Sequence, residues 1–222
     1  MNFTALALPQ SFHLFGWLGL AYLGWRWLMS GDWRRLADPV SLNLFLGTTV
    51  AVLVLWQIRT GVKPGLAFHL YGISAMTLMF GFWRASVGGT LILLVNAMFG
   101  RGTLAALGID ALLQAALPAA VSWGVFRLLE RRLPNHFFIY VFGNGFFGTA
   151  LAVAAIGLAT AAMMVLAGAY SFDYLRTQYL PYATLLISWA EAFSTGMAVT
   201  VMAVYRPAWL ETFDDRKYIQ NH

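Results

Sequence analysis

Residues 137–168 read FFIYVFGNGFFGTALAVAAIGLATAAMMVLAG, a stretch with no charged side chain. A helix crossing the hydrocarbon core of a bilayer needs roughly 20 apolar residues. This run exceeds that, so it is expected to tilt or to extend beyond the membrane. Working outward from it, six further apolar segments are recognisable at about 11–29, 41–59, 66–82, 85–99, 104–128 and 181–205. The fourth is short, and its boundary with the third at Phe82-Trp83-Arg84 is weak, so these two are read as a pair of short or tilted helices. The expected fold is all-α, a polytopic membrane bundle of about seven transmembrane helices.

Turn chemistry supports these divisions. Asp32-Trp33-Arg34-Arg35 and Asp38-Pro39 close the first loop, and Arg59 to Gly65 forms a turn that includes Pro64-Gly65. Gly100-Arg101-Gly102, then Glu130 to Asn135, then Asp173 to Pro181 separate the later segments. No linker is long enough to divide soluble domains. The reading is one membrane domain, 1–205, followed by a short cytoplasmic tail, 206–222.

Composition agrees. Of 222 residues, 60% are hydrophobic and 10% charged, against about 25% charged in a soluble domain. Aromatic residues make up 16%, with nine Trp, which suits anchoring at lipid interfaces. Cysteine is absent, which excludes disulfides and thiolate ligands. The net charge of +5 sits between apolar runs rather than along one face, so no nucleic-acid partner is expected. The opening residues show no pattern of a cleaved signal peptide.

Lys and Arg placement sets orientation. With seven crossings, one side holds Arg26, Arg34, Arg35, Arg84, Arg127, Arg131, Arg132, Arg206, Arg216 and Lys217; the other holds Arg59, Lys63, Arg101 and Arg176. The richer side is expected to be cytoplasmic, which puts the N-terminus outside and the chain in the inner membrane.

Ionisable groups within a bilayer are costly and mark sites or partners. His13, His69, Asp110 and Glu191 all fall in the outer half or near the midplane. Asp110 lies about 10 Å and Glu191 about 15 Å from the outer face at 1.5 Å per residue. Two imidazoles and two carboxylates suit a divalent transition metal. Each also has a plainer reading: His13 as an interfacial histidine, Asp110 as a helix cap, Glu191 as the partner of an arginine or of backbone groups. Asn96 and Asn144 suit cross-helix hydrogen bonds. His136 suits a helix entry, and His222 is terminal. Gly148/Ala152 and Gly157/Ala161 permit close helix contact, within the protein or with a partner.

Walker A, H-E-x-x-H and G-x-S-x-G sequences are all missing. The chain is therefore not expected to be an enzyme, although Glu191 and Asp110 could form an acid–base pair. Any uphill transport would draw its energy from a partner.

Three stretches resemble a known family: Phe68-His69-Leu70-Tyr71-Gly72, Phe80-Gly81-Phe82-Trp83-Arg84-Ala85, and Gly102 to Ala111, ending Ala106-Leu107-Gly108-Ile109-Asp110-Ala111. In this order they are similar to the CbiM/NikM family, the substrate-capturing membrane subunits of energy-coupling factor transporters for cobalt and nickel. Glu191 through Gly196 is similar to an element of the family's last helix. The likeness runs from about 65 to 205, and Leu133 to Phe138 looks like a divergent proteobacterial branch. The resemblance implies a seven-helix bundle with an outward-facing metal site. It also implies a coupling transmembrane subunit and ABC ATPases as partners, lipid around the bundle, and a Co or Ni ion, or a related divalent ion, as substrate rather than as a tightly bound cofactor.

Of the family's ligands, only His69 maps onto a histidine. The family opens Met-His, whereas this chain opens Met1-Asn2-Phe3, so the imidazole at position 2 is missing. The family's Asn is Asp110 here. Met1, His13 and Asp110 stand as additional ligand candidates, with Glu191 and Asn96 shaping the cavity. The alternative is a non-transporting accessory or assembly subunit of another inner-membrane complex, using Gly148/Ala152 and the tail as contacts.

Overall fold

The computed structural model describes residues 8–63, 66–214 and 216–220. Its helices are α1 (Gln10–Ser30), α2 (Pro39–Leu55), α3 (Ile73–Met98), α4 (Leu107–Arg132), α5 (Ile139–Leu166), α6 (Phe172–Gln178) and α7 (Tyr182–Tyr205). A two-stranded antiparallel ribbon, β1 (Arg59–Lys63) and β2 (Leu66–His69), lies between α2 and α3. Among the described residues, α3, α4, α5 and α7 have the length and apolarity to cross a membrane, and α2 is a shorter apolar helix.

Local chemistry sets the ends. Asp38 accepts the Ser41 N–H at 2.8 Å, with Pro39 in the first turn of α2, a favourable helix start. That N–H, together with the Ser41 side chain, holds the Asp38 carboxyl below its ordinary range. Gly31, at φ 69°, closes α1 in the left-handed conformation. Wide π-helical turns interrupt α4 at Leu112–Ala116, begin α5 at Ile139–Gly148 and begin α7 at Tyr182–Ile187.

Although α3 has 26 residues, it is not one rod. Gly81 has φ 81° and ψ 175°, outside helical space. In a straight helix Met76 and Gly88 would lie about 18 Å apart at 1.5 Å per residue. Here a Cβ added to Gly88 would come within 2.4 Å of Met76 Cε, and one on Gly89 within 2.9 Å of Ile73 Cδ1. The helix therefore folds back on itself as a hairpin, with a short arm (73–80) and a long arm (82–98).

The structure departs from the sequence reading in two stretches. The stretch 66–82 does not begin as a helix; it begins as a strand and turns helical only at Ile73. Gly72, at φ 67°, makes the switch, and a Cβ there would sit 2.9 Å from Val52 Cγ2. The inter-helix stretch Asp173 to Pro181 also holds a short helix, α6.

Glycines let the helices approach closely. A Cβ on Gly16 of α1 would lie 2.5 Å from the Ile109 backbone nitrogen, and one on Gly108 would lie 2.4 Å from the Gly16 carbonyl carbon. Gly148 faces Val125 and Gly157 faces Ala183. With Ala152 and Ala161 also buried, these small-residue pairs pack inside the bundle rather than facing a partner.

Parts of the segment after α7 pack against the bundle. Leu210, Phe213 and Tyr218 are buried in the core. The Glu211 and Thr212 N–H groups donate to Met79 O (3.1 Å) and Leu78 O (3.4 Å), and the Thr212 hydroxyl donates to Leu78 O at 2.6 Å. These are carbonyls at the end of the short arm, where the helix supplies no partner. Beside them Arg84, 1% exposed, pairs through Nε with Asp32 (2.9 Å) and through its terminal nitrogens with Glu211 (2.5 Å). Arg35 also bonds Glu211. Glu211 and Thr212 thus fasten the segment after α7 to the first loop and to the α3 hairpin.

Candidate functional site

At the opposite end from Arg84, α2, the ribbon, the end of α3 and the start of α4 enclose a cavity of about 20 Å³. That is room for one water-sized particle, since about 10–15 Å³ suffices. Trp56, Arg59, His69, Asn96, Arg101, Asp110 and Gln114 contribute to its wall.

His69 ends β2, opposite Arg59 in the ribbon register. Its ring, 7% exposed, lies between Trp56 and Tyr71, with centroids 4.5 and 4.4 Å away. The Nδ1 atom is 3.1 Å from the Leu70 carbonyl oxygen. A carbonyl only accepts, so Nδ1 carries the hydrogen and the lone pair of the neutral ring is on Nε2. Metal-binding histidines are commonly oriented by such a bond to backbone carbonyl. The peptide after His69 is held as well: Trp56 Nε1 donates to Tyr71 O at 2.7 Å.

Asp110, 4% exposed, lies in the first turns of α4 and accepts Gln114 Nε2 at 2.8 Å. Gln114 is fully buried, sits in the wide turn of α4, and hydrogen-bonds the His69 side chain too. Asn96, near the end of α3, accepts Gln57 Nε2 at 3.2 Å on the same wall. The structure therefore brings His69, Asp110 and Asn96 together.

The other candidates lie elsewhere. Glu191, 1% exposed, turns to the backbone: its two carboxylate oxygens accept Tyr71 N–H (2.7 Å) and Gly72 N–H (2.5 Å). It caps the short arm of α3, because a helix N-terminus offers unpaired N–H groups to an anion. His13 engages the Ala105 carbonyl through Nδ1 at 3.0 Å and is not part of the cavity wall. Met1 lies outside the described residues, as does His222. Among the described residues, no three His, Cys, Asp or Glu side chains gather as a metal cluster. The expected quartet of His13, His69, Asp110 and Glu191 thus does not assemble, because backbone groups claim two of its members.

Sequence reading passed over Gln114, Trp56, Arg59 and Arg101 as wall residues. Gln114 carried a signal: it is an amide within an apolar run, four residues after Asp110 and so on the same helix face.

Apolar helices thus surround a small cavity whose polar wall carries one imidazole, one carboxylate, two amides and two guanidinium groups. The chain matches the model of the family CbiM, described as a cobalt uptake substrate-specific transmembrane region, over residues 5–209, and it belongs to that family. It is thus a membrane component of metal uptake. Two solved structures share its fold. One, a truncated transition metal transporter, is 19% identical with a TM-score of 0.77, covering 89% of this chain and 96% of that one. The other, a transition metal transporter, is 20% identical with a TM-score of 0.73, covering 89% and 90%. Among curated proteins, none matches.

Proposed function

We propose that the chain is the capture subunit of an energy-coupling factor type uptake system, taking a divalent transition metal such as Co or Ni from the outer side of the inner membrane. The observation that carries this reading is His69. Its Nδ1–H is held by a backbone carbonyl, and its ring lines an ion-sized cavity that it shares with Asp110. Imidazole with carboxylate suits first-row divalent ions.

In this reading the bundle crosses seven times with the N-terminus outside. The third crossing is the extended 66–72 segment continued by the 73–80 arm. His69 is a ligand, and Met1 completes the site with Asp110. Asn96 shapes the wall, and Glu191 holds the peptide that presents His69. The basic end, with Arg34, Arg131 and Arg216, faces the cytoplasm, where a coupling transmembrane subunit and ABC ATPases dock. Bound metal measured on the purified chain tests the reading. Wild type is expected to hold Co²⁺ or Ni²⁺, and His69→Ala to lose at least tenfold in affinity. A wild type that binds neither ion, or a His69→Ala variant that binds as well as wild type, would overturn it.

A further inference from the structure

The cavity beside His69 is layered in charge. His69, Asp110 and Gln114 are buried, whereas Arg59 and Arg101 line the same cavity and stay exposed. The buried groups therefore form its floor and the two arginines its mouth. Arg59 stands opposite His69 in the ribbon register, and paired residues of an antiparallel ribbon carry their side chains on one face. Arg101 comes from a different place, the Gly100-Arg101-Gly102 turn after α3, where its backbone N–H donates to Asn96 O at 2.8 Å. Two separate parts of the chain thus bring one guanidinium each to the same mouth.

Two guanidinium groups stand here against one carboxylate. A guanidinium is not deprotonated in proteins, so the mouth is positive at any working pH. A cleft lined by one sign of charge concentrates ligands of the other sign. A bare divalent ion has the wrong charge for this mouth. The imidazole and carboxylate of the floor nonetheless suit a first-row divalent ion. One kind of substrate meets both demands: an ion that carries an anionic ligand.

The planar fork of a guanidinium matches a carboxylate through two parallel hydrogen bonds. A carboxylate oxygen is also an ordinary ligand of divalent metals. The cavity, at about 20 Å³, admits one water-sized particle, so the ion fits inside and the body of the anion stays at the mouth. Resting on the metal-capture reading above, we infer that the ion is taken up as a metal–carboxylate pair. His69 and Asp110 hold the ion on the floor. Arg59 and Arg101 hold a small carboxylate that coordinates the same ion from the mouth. Metal and carboxylate then bind with positive coupling, each tightening the other by the same factor.

The test uses the full chain in nanodiscs, titrated with Co²⁺ in acetate and in chloride at equal ionic strength, with affinities referred to free Co²⁺. Wild type is expected to bind Co²⁺ at least fivefold more tightly in acetate, the low end of usual coupling. The visible absorption of the bound Co²⁺ should shift as acetate joins its coordination. Arg59→Gln and Arg101→Gln are expected to lose both effects. Thermal unfolding without metal shows which variants fold. Where a Gln variant does not, the Lys variant replaces it, keeping the charge without the fork, and a smaller acetate effect is expected. Equal Co²⁺ affinity in the two media, or Gln variants that keep the wild-type response to acetate, overturns the carboxylate site while leaving the His69 site standing. A wild type that binds no Co²⁺ in either medium overturns both readings.

Discussion

The two ends of the α3 hairpin solve the same problem with opposite chemistry. At one end, His69 and Asp110 are bridged by an amide and walled by Trp56 and Tyr71 around a space of about 20 Å³. At the other, Arg84 is locked by Asp32 and Glu211. The first end mixes the charges of Arg59, Arg101 and Asp110 with two amides around a small space. The second is saturated with ion pairs and backbone bonds. The short arm (73–80) joins them, and carboxylates of the C-terminal region flank it: Glu191 on the N–H groups at its start, Glu211 on the arginine beyond its end.

The largest expected effect comes from breaking the locked end. Arg84→Ala strands Glu211 and Asp32 in a partly buried setting. Removing one partner of a buried pair costs roughly 3–5 kcal/mol, scaled down here because Glu211 is 31% and Asp32 18% exposed. Thermal unfolding in detergent should show a drop of many degrees, while metal binding per folded molecule stays near wild type. If Arg84→Ala unfolds at the wild-type temperature, the lock is not structural.

Next comes the hinge between the ends. Gly81 has φ 81° with ψ 175°, a region open in practice only to glycine, where another residue costs of order 1–3 kcal/mol. Space is not the obstacle, since a Cβ there would meet Trp123 only at 3.8 Å. Gly81→Ala should therefore destabilise by backbone strain alone. Gly24→Ala, in the open on α1, serves as the control and should not. Equal melting temperatures for the two variants would remove the hinge argument.

How much of this was legible in the sequence depends on which force placed each piece. The apolar runs announced α1, α2, α4, α5 and α7, because burial and backbone pairing in lipid leave a helix little alternative. The weak boundary near Phe82-Trp83-Arg84 hinted at the α3 hairpin. The strand at 66–69 was hidden: its residues are as apolar as a helix, and only contacts from Glu191 and Val52, distant in sequence, select the switch at Gly72. Burial of the C-terminal segment was hidden too. Leu210, Phe213 and Tyr218 are too far apart to form a run, and the last two pack on Tyr140 of α5, distant in sequence. At the site, His69 and Asp110 were legible as costly groups in an apolar setting. Gln114 was passed over, although its spacing of four from Asp110 put it on the same helix face.

A smaller effect should separate positioning from ligation. Glu191→Gln keeps the shape but replaces one acceptor oxygen with an NH₂ group, so one N–H of Tyr71 or Gly72 loses its partner. The cost should be about 1–3 kcal/mol, the penalty for an unsatisfied buried donor. Metal affinity should fall less than in His69→Ala, because the His69 imidazole remains and only its supporting peptide loosens. Parallel titrations decide this; a loss in Glu191→Gln as large as in His69→Ala would place Glu191 on the metal itself.

The smallest effect belongs to His13, and it sharpens the comparison between two histidines at the same end. Both use Nδ1 on a backbone carbonyl, Ala105 for His13 and Leu70 for His69. Hydrogen bonding alone therefore does not tell them apart. Location does: His69 is 7% exposed and lines the cavity, whereas His13 is only partly buried and lies outside the wall. His13→Ala removes one hydrogen bond near the surface, worth about 0.5–1.5 kcal/mol, and leaves every wall residue in place. Its metal affinity should stay within threefold of wild type, against at least tenfold for His69→Ala. A matching tenfold loss in His13→Ala would mean that its imidazole leaves the Ala105 carbonyl and joins the site on binding.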